Sequence, residues 1–180
     1  MNQFRVAVAV FAGAAALAAA DAAKSFDDTL RMTEREVVSL AEAMPAEKYG
    51  FAPKNGEFAG VRTFGMQMKH IAAVNYEIAA AILGEKDPID PGKAENGPGS
   101  IASKEQIVRF LKDSFTYTHK ALQSVTDAKL TSEIKDPFGN GKVPLLRVVT
   151  VPSWHSFDHY GQAVVYARMC GVIPPASRPR

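Results

Sequence analysis

The 180-residue sequence contains a single cysteine, Cys170, and only four histidines. One cysteine cannot form an internal disulfide, so the fold must be stabilised by core packing. Charged residues make up 22% of the chain, the formal net charge is +2, and no stripe of lysine and arginine is present. Nothing in this composition indicates binding to nucleic acid or to an anionic membrane. With 47% apolar residues, a chain of this length fits one globular domain with a hydrophobic core.

A long apolar run is also missing, because the run from Val6 to Ala19 has only about 14 residues, short of the ~20 that a helix needs to cross a bilayer. The terminal amine and Arg5 precede this run and small residues follow it, which is the three-part pattern of a secretory signal peptide. We therefore expect residues 1–20 to be a signal peptide cleaved near Ala20. The mature domain, residues 21–180, is then periplasmic or secreted, with no stable membrane insertion. A retained membrane anchor is the alternative, and the lack of a cysteine after the run excludes a lipoprotein.

Apolar residues recur at steps of three and four in four segments, at about 25–44, 61–83, 103–130 and 144–169. Between them lie loops rich in glycine, proline and asparagine, including residues 84–100 and 131–142. The β-branched stretch before Pro152 is compatible with a strand, but we favour a helix that Pro152 kinks. The sequence thus predicts an all-α four-helix bundle without strands. The long loop between helices 2 and 3 has the length to cross the bundle and let these helices run parallel.

Three histidines are placed to meet inside such a bundle. His155 and His159 are four residues apart and share one face of the last helix. His70 lies on the inward stripe of the second helix, which comprises Met66, Gln67, His70, Val74, Glu77 and Ala81. Buried unpaired imidazoles are costly, and three of them can offset that cost by sharing a cation. The pair on the last helix, taken alone, favours core or surface histidines that bind no metal, and His70 changes that interpretation.

Three neutral nitrogen ligands leave coordination positions open for water or substrate, as in catalytic sites, and they suit Zn²⁺, Ni²⁺ or Fe²⁺. Ser156 stands where the HExxH motif of zinc proteases has its glutamate, so that chemistry is not expected. Glu77 is a candidate general base, or a partner for a buried cation. Asp158 is a candidate second carboxylate that orients a histidine, or a solvated acid. Gln162 can hydrogen-bond a ligand, and His119, off the stripe of the third helix, is expected at the solvated surface.

The residues around these histidines resemble the DinB/YfiT-like family of four-helix-bundle metalloenzymes. The resemblance spans about Phe26 to Pro175 and rests on three stretches: "MQMKHIAAV" around His70, "HSFDHYGQ", which is similar to the family's H-x-x-x-H-x-G-Q, and the ending "YARMCGVIPP". It implies a divalent metal ion on His70, His155 and His159, an up-down-down-up bundle and a homodimer. Activities known in the family include transfer of low-molecular-weight thiols and thiol-dependent isomerisation, and many members are called metal-dependent hydrolases without a known substrate. The chain departs from the family in its export signal and in Pro152, three residues before His155.

These observations favour an exported metal-dependent enzyme with hydrolase-type chemistry, in which a metal-activated water attacks a small-molecule substrate that the sequence does not identify. One alternative is an activity like that of a thiol S-transferase, although most relatives that use cellular thiols work in the cytoplasm. Another is a non-catalytic helical protein that binds a metal or a small ligand. The last is a plain interaction domain with histidines in its core.

Overall fold

A computed structural model describes the backbone of residues 3–179 and the side chains of residues 22–179. The predicted signal peptide, residues 1–20, falls outside the residues whose side chains are described, so its cleavage stays a prediction. Four long helices build the fold: α1 (Gln3–Ala43), α2 (Phe64–Leu83), α3 (Lys104–Gln123) and α5 (Leu145–Met169). Between α3 and α5 lie the short helix α4 (Asp127–Leu130) and an antiparallel hairpin of strands β1 (Glu133–Lys135) and β2 (Lys142–Pro144). No described helix has both the length and the apolar character that crossing a membrane requires.

The helices form a four-helix bundle in which α1 and α2 each pack mainly against α3 and α5. Side-chain contacts give the helix directions, because Gln67 of α2 bonds Gln162 late in α5 while His70 lies against the earlier His155. These two helices are therefore antiparallel. Residues of α2 and α3 meet instead in rising order, since Gly65 lies near Ile107 and Asn75 bonds Ser114, so this pair is parallel.

Contacts between α1 and α3 run in the opposite sense. Asp27, past the middle of α1, bonds His119, and Glu42, near the end of α1, pairs with the earlier Lys112 of α3. With α1 antiparallel to α3 and α2 antiparallel to α5, the bundle is up-down-down-up. The predicted all-α four-helix bundle is confirmed, and the loop after α2 makes the long crossing that parallel neighbours require.

Local sequence sets the helix ends. The hydroxyl of Thr63 accepts the N–H of Met66 at the start of α2, and Gly84 ends that helix at φ 68°, in the left-handed region that favours glycine. Ser103 and Gln106 form the predicted capping box of α3. After α5, Gly171 has φ 77°, as expected for the residue that follows a helix.

Three details of the sequence-based description are corrected. The third segment ends at Gln123 rather than Leu130, and α4 is a separate turn. The predicted loop 131–142 overlaps a hairpin that extends to Pro144, and its three-residue strands are too short to show an alternating pattern. Met66, in the first turn of α2, is 44% exposed rather than inward. The stretch around Pro152 is helical, as favoured; proline lacks an N–H, so the Val148 carbonyl loses its usual donor there.

The core is built from apolar residues of all four long helices, among them Leu30, Leu40, Phe64, Met68, Phe115 and Tyr166. A smaller cluster between α2, α5 and β2 contains Val74, Ile78, Val143, Val148 and Val151. Val74 and Val151 lie one helical turn from His70 and His155 on their respective helices. The histidines therefore sit at the edge of a packed apolar region, where their rings have little freedom to move.

Candidate metal centre

His70, His155 and His159 come together between α2 and α5, each offering a ring nitrogen within 4.8 Å of the other two. Nε2 of His155 lies 3.2 Å from Nε2 of His70 and 3.1 Å from Nε2 of His159. Two nitrogens that bind one tetrahedral ion at ~2.05 Å are separated by roughly 3.3 Å. The three rings thus have the spacing that shared coordination of one ion requires.

His70 is oriented by the long loop between α2 and α3. Its Nδ1 lies 2.9 Å from the backbone carbonyl oxygen of Glu95, which can only accept a hydrogen bond. Nδ1 therefore carries the proton in the neutral ring, and Nε2 presents its lone pair to the other histidines. Histidines that bind metals usually show such a donor contact on the opposite nitrogen.

His159 is oriented by a chain of side-chain amides that ends on Asp158. Its Nδ1 lies 2.6 Å from Oε1 of Gln67, whose amide nitrogen donates to Gln162 at 3.0 Å. The amide nitrogen of Gln162 in turn donates to the carboxylate of Asp158 at 3.1 Å. Because an ionised carboxylate only accepts, it fixes the direction of both amides, and the proton of His159 is placed on Nδ1. The lone pair of its Nε2 then also points into the cluster.

His155 completes the cluster without such a partner. Its Nδ1 is buried and lacks a hydrogen-bond partner among the described residues. Its ring meets Trp154 edge-on, with 5.9 Å between the ring centroids. If Nε2 of His155 also carries a lone pair, three lone pairs converge, and a cation between them removes the repulsion. The donor set of this structure therefore fits a divalent metal ion.

Burial lowers the pKa of all three histidines, to about 3 for His155 and to about 4 for His159. The nearby charge of Arg62 acts in the same direction at each ring. The imidazoles are therefore neutral at pH 7, which is the form that binds a metal ion.

The loop segment that holds His70 has an unusual backbone. Ala94 and Glu95 have φ values of 53° and 56°, in the left-handed region that costs a non-glycine residue about 1–3 kcal/mol. At the base of this segment, a Cβ on Gly92 would lie 2.3 Å from the carbonyl oxygen of Gly97, so only glycine fits. Arg62 bonds the segment on both sides of Glu95, through Nε to Oδ1 of Asn96 at 2.8 Å and through Nη2 to the carbonyl of Ala94 at 2.9 Å.

The two candidate carboxylates occupy different places. Asp158 is exposed and is connected to His159 by hydrogen bonds through the two glutamines. Glu77 is half-buried and lines a cavity of about 590 Å³ with residues 80–85, 87, 134–137 and 139, which do not include the three histidines. Burial raises the pKa of Glu77, and Glu95 and Asp87 add to this effect. Gln67, Glu95 and Arg62 were not assigned a role from the sequence, because backbone and amide contacts between distant segments leave no spacing signal.

The prediction for His119 is wrong. Its side chain is only 11% exposed and lies between Asp27 and Glu34 of α1, with Nε2 3.1 Å from the carboxylate of Glu34 and Nδ1 bonded to that of Asp27. The inward stripe of α3 faces α2, where its residues Ser114 and Thr118 bond Asn75. His119 faces α1 instead, because α3 packs against two helices.

Comparisons with known proteins agree with this geometry. A DinB-like protein from Bacillus cereus ATCC 10987 has a TM-score of 0.66 and 22% identity, covering 84% of this chain and 95% of its own. The DinB-like protein YjoA of Bacillus subtilis has a TM-score of 0.62 and 19% identity, covering 87% of this chain and 99% of its own. YfiT from Bacillus subtilis is described as a probable metal-dependent hydrolase with an unusual four-helix bundle topology. It has a TM-score of 0.59 and 13% identity, covering 84% of this chain and 89% of its own. These TM-scores show a shared fold.

No curated protein matches the chain significantly. The sequence profile of the DinB superfamily matches residues 29–163, a span that includes all three clustered histidines. Given this match over three quarters of its length, the chain belongs to the DinB superfamily.

Proposed function

We propose that the protein is a metal-dependent enzyme of hydrolase type that binds one divalent ion through Nε2 of His70, His155 and His159. The observation that carries the proposal is the convergence of three buried ring nitrogens, two of them on rings whose Nδ1 protons are held by oxygen acceptors. The description of YfiT as a probable metal-dependent hydrolase supports the same class of activity here.

Three protein ligands would leave further coordination positions of the ion free for water or a small substrate. A divalent ion held by three protein ligands supplies Lewis acidity and lowers the pKa of coordinated water toward ~7. All-nitrogen ligation fits Zn²⁺, Ni²⁺ and Fe²⁺ alike. The residues of this chain keep the imidazoles neutral and their lone pairs aligned. Asp158 and Glu77 are retained as candidate proton carriers, of which Asp158 is connected to the cluster by hydrogen bonds.

Two further parts of the proposal concern the whole molecule. Export after cleavage near Ala20 follows from the N-terminal sequence pattern. A homodimer is supported by the family resemblance and by apolar side chains on the outer face of α5, where Trp154, Phe157, Val165 and Met169 are 41–56% exposed. Light scattering at several protein concentrations, with Val165→Glu as the disrupting variant, tests the dimer. A monomer at all concentrations overturns it.

Activity is tested on protein produced without a histidine tag, because a tag supplies competing imidazoles. The purified protein, loaded with Zn²⁺, Ni²⁺ or Fe²⁺, is assayed on a panel of esters, amides and thiol-dependent reactions. We expect hydrolysis that disappears in His155→Ala and persists in His119→Leu. Bound metal without turnover on any substrate favours the non-catalytic binding protein, and turnover only with an added thiol favours the transferase.

A further inference from the structure

Arg62 supports the cluster although it is neither a metal ligand nor a hydrogen-bond partner of one. Arg62 precedes α2 and spans the loop segment 94–96 with two hydrogen bonds, one on each side of Glu95. The carbonyl of Glu95 between them accepts the Nδ1 proton of His70. The backbone φ angles of Glu95 and its neighbour Ala94 both lie in the left-handed region.

We propose that Arg62 is a positioning residue, which holds the strained segment 94–96 so that the Glu95 carbonyl fixes the tautomer and orientation of His70. A backbone that is unfavourable by itself relaxes when nothing holds it, and the carbonyl then turns away from His70. The planar guanidinium suits this task because two of its N–H groups point in fixed directions that match two acceptors. A lysine at this position keeps the charge but loses that fixed geometry.

The charge of Arg62 and its hydrogen bonds act in opposite directions on a bound cation. The positive charge repels an ion at the histidine cluster, and the clamp on the loop favours ion binding by orienting His70. Removing Arg62 therefore strengthens metal binding if charge dominates and weakens it if positioning dominates. The proposal predicts the second result.

Lys69 of α2 provides a matched control, because it hydrogen-bonds the same loop. Its ammonium donates to the carbonyls of Pro98 at 2.9 Å and Ile101 at 2.8 Å, so it also makes two hydrogen bonds to the loop. Those bonds lie beyond the segment that contacts His70. Loss of general loop support affects Lys69→Met and Arg62→Met alike, whereas loss of positioning affects only the Arg62 variant.

The first readout needs no metal and so does not depend on the proposed function. In metal-free protein with ¹⁵N-labelled histidine, NMR at neutral pH reports which ring nitrogen carries the proton. We expect His70 to be a single Nδ1–H tautomer in the wild type and in Lys69→Met, and a mixture in Arg62→Met and Arg62→Lys. A single Nδ1–H tautomer in all four proteins overturns the proposal.

The second readout rests on the proposed function and uses Zn²⁺ affinity from competition with a chelator. We expect about tenfold weaker binding in Arg62→Met and Arg62→Lys, the low end of the effect of residues that support metal ligands. Lys69→Met stays within about twofold of the wild type on the same argument. Wild-type affinity in Arg62→Lys, or an equal loss in Lys69→Met, contradicts the proposal. If neither the wild type nor any variant binds Zn²⁺, the proposed function fails, while the tautomer result still decides the role of Arg62. If Arg62→Met does not fold, Arg62→Lys serves as the test variant.

Discussion

At the scale of single residues, the protonation of His159 is decided by a carboxylate three hydrogen bonds away. Asp158 can only accept, so Gln162 and Gln67 are both turned to leave an oxygen facing Nδ1 of His159. Gln67→Leu removes that oxygen and leaves a buried N–H without an acceptor. We expect Zn²⁺ affinity to fall by about 10–100-fold, measured by chelator competition. Gln106→Leu, which removes a capping amide of α3, is the control, and equal affinity of Gln67→Leu and wild type contradicts this role.

The buried histidines also make stability depend on pH. Burial lowers the pKa of His155 to about 3 and that of His159 to about 4, whereas a histidine in an unfolded chain has a pKa of about 6.5. Between these values the unfolded chain binds more protons than the folded protein, so acid favours unfolding. We expect the free energy of unfolding of metal-free protein to fall between about pH 6.5 and pH 4, by up to ~1.4 kcal/mol per pH unit for each such histidine. Urea denaturation across this range should show a shallower slope for His155→Asn, and identical slopes contradict the assignment.

At the scale of elements, α3 is linked to α1 by a cluster of hydrogen-bonded polar side chains as well as by apolar packing. His119 of α3 bridges Asp27 and Glu34 of α1, and Arg31 and Gln123 also bond Asp27. His119→Leu leaves Oδ1 of the buried Asp27 carboxylate without its donor, at a cost of about 1–3 kcal/mol. Thermal unfolding should show this loss while the metal content stays that of the wild type. A loss of metal in this variant contradicts the separation of the two histidine sites.

The elements also show how far the sequence predicts this structure. Helices were predicted wherever an apolar stripe met a clear end signal, such as the Ser103 capping box or Gly84, because both signals are local. The hairpin was missed because three-residue strands carry no periodicity. His119 was misplaced because one stripe cannot describe a helix that packs on two neighbours. The meeting of the three histidines could be predicted from their spacing on two helices. The contacts of the Glu95 carbonyl with His70 and of the Gln67 amide with His159 could not, because they join segments that only the tertiary fold brings together.

At the scale of the whole molecule, export is testable without any knowledge of the substrate. A run of about 14 apolar residues after Arg5 suits a cleaved signal better than a spanning helix. We expect the protein isolated from its native cells to begin after Ala20, as measured by intact mass and N-terminal sequencing. Recovery of a chain that still carries Met1 contradicts cleavage.

The central claim concerns the histidine cluster, and metal content tests it most directly. Untagged protein, purified and then reconstituted with Zn²⁺, is examined by elemental analysis and by its melting temperature before and after chelation. The account predicts one divalent ion per chain, absent in His70→Ala and His155→Ala, and a melting temperature that falls on chelation because the ion binds only the folded state. A wild-type protein that holds no ion, with a melting temperature that chelation leaves unchanged, contradicts it.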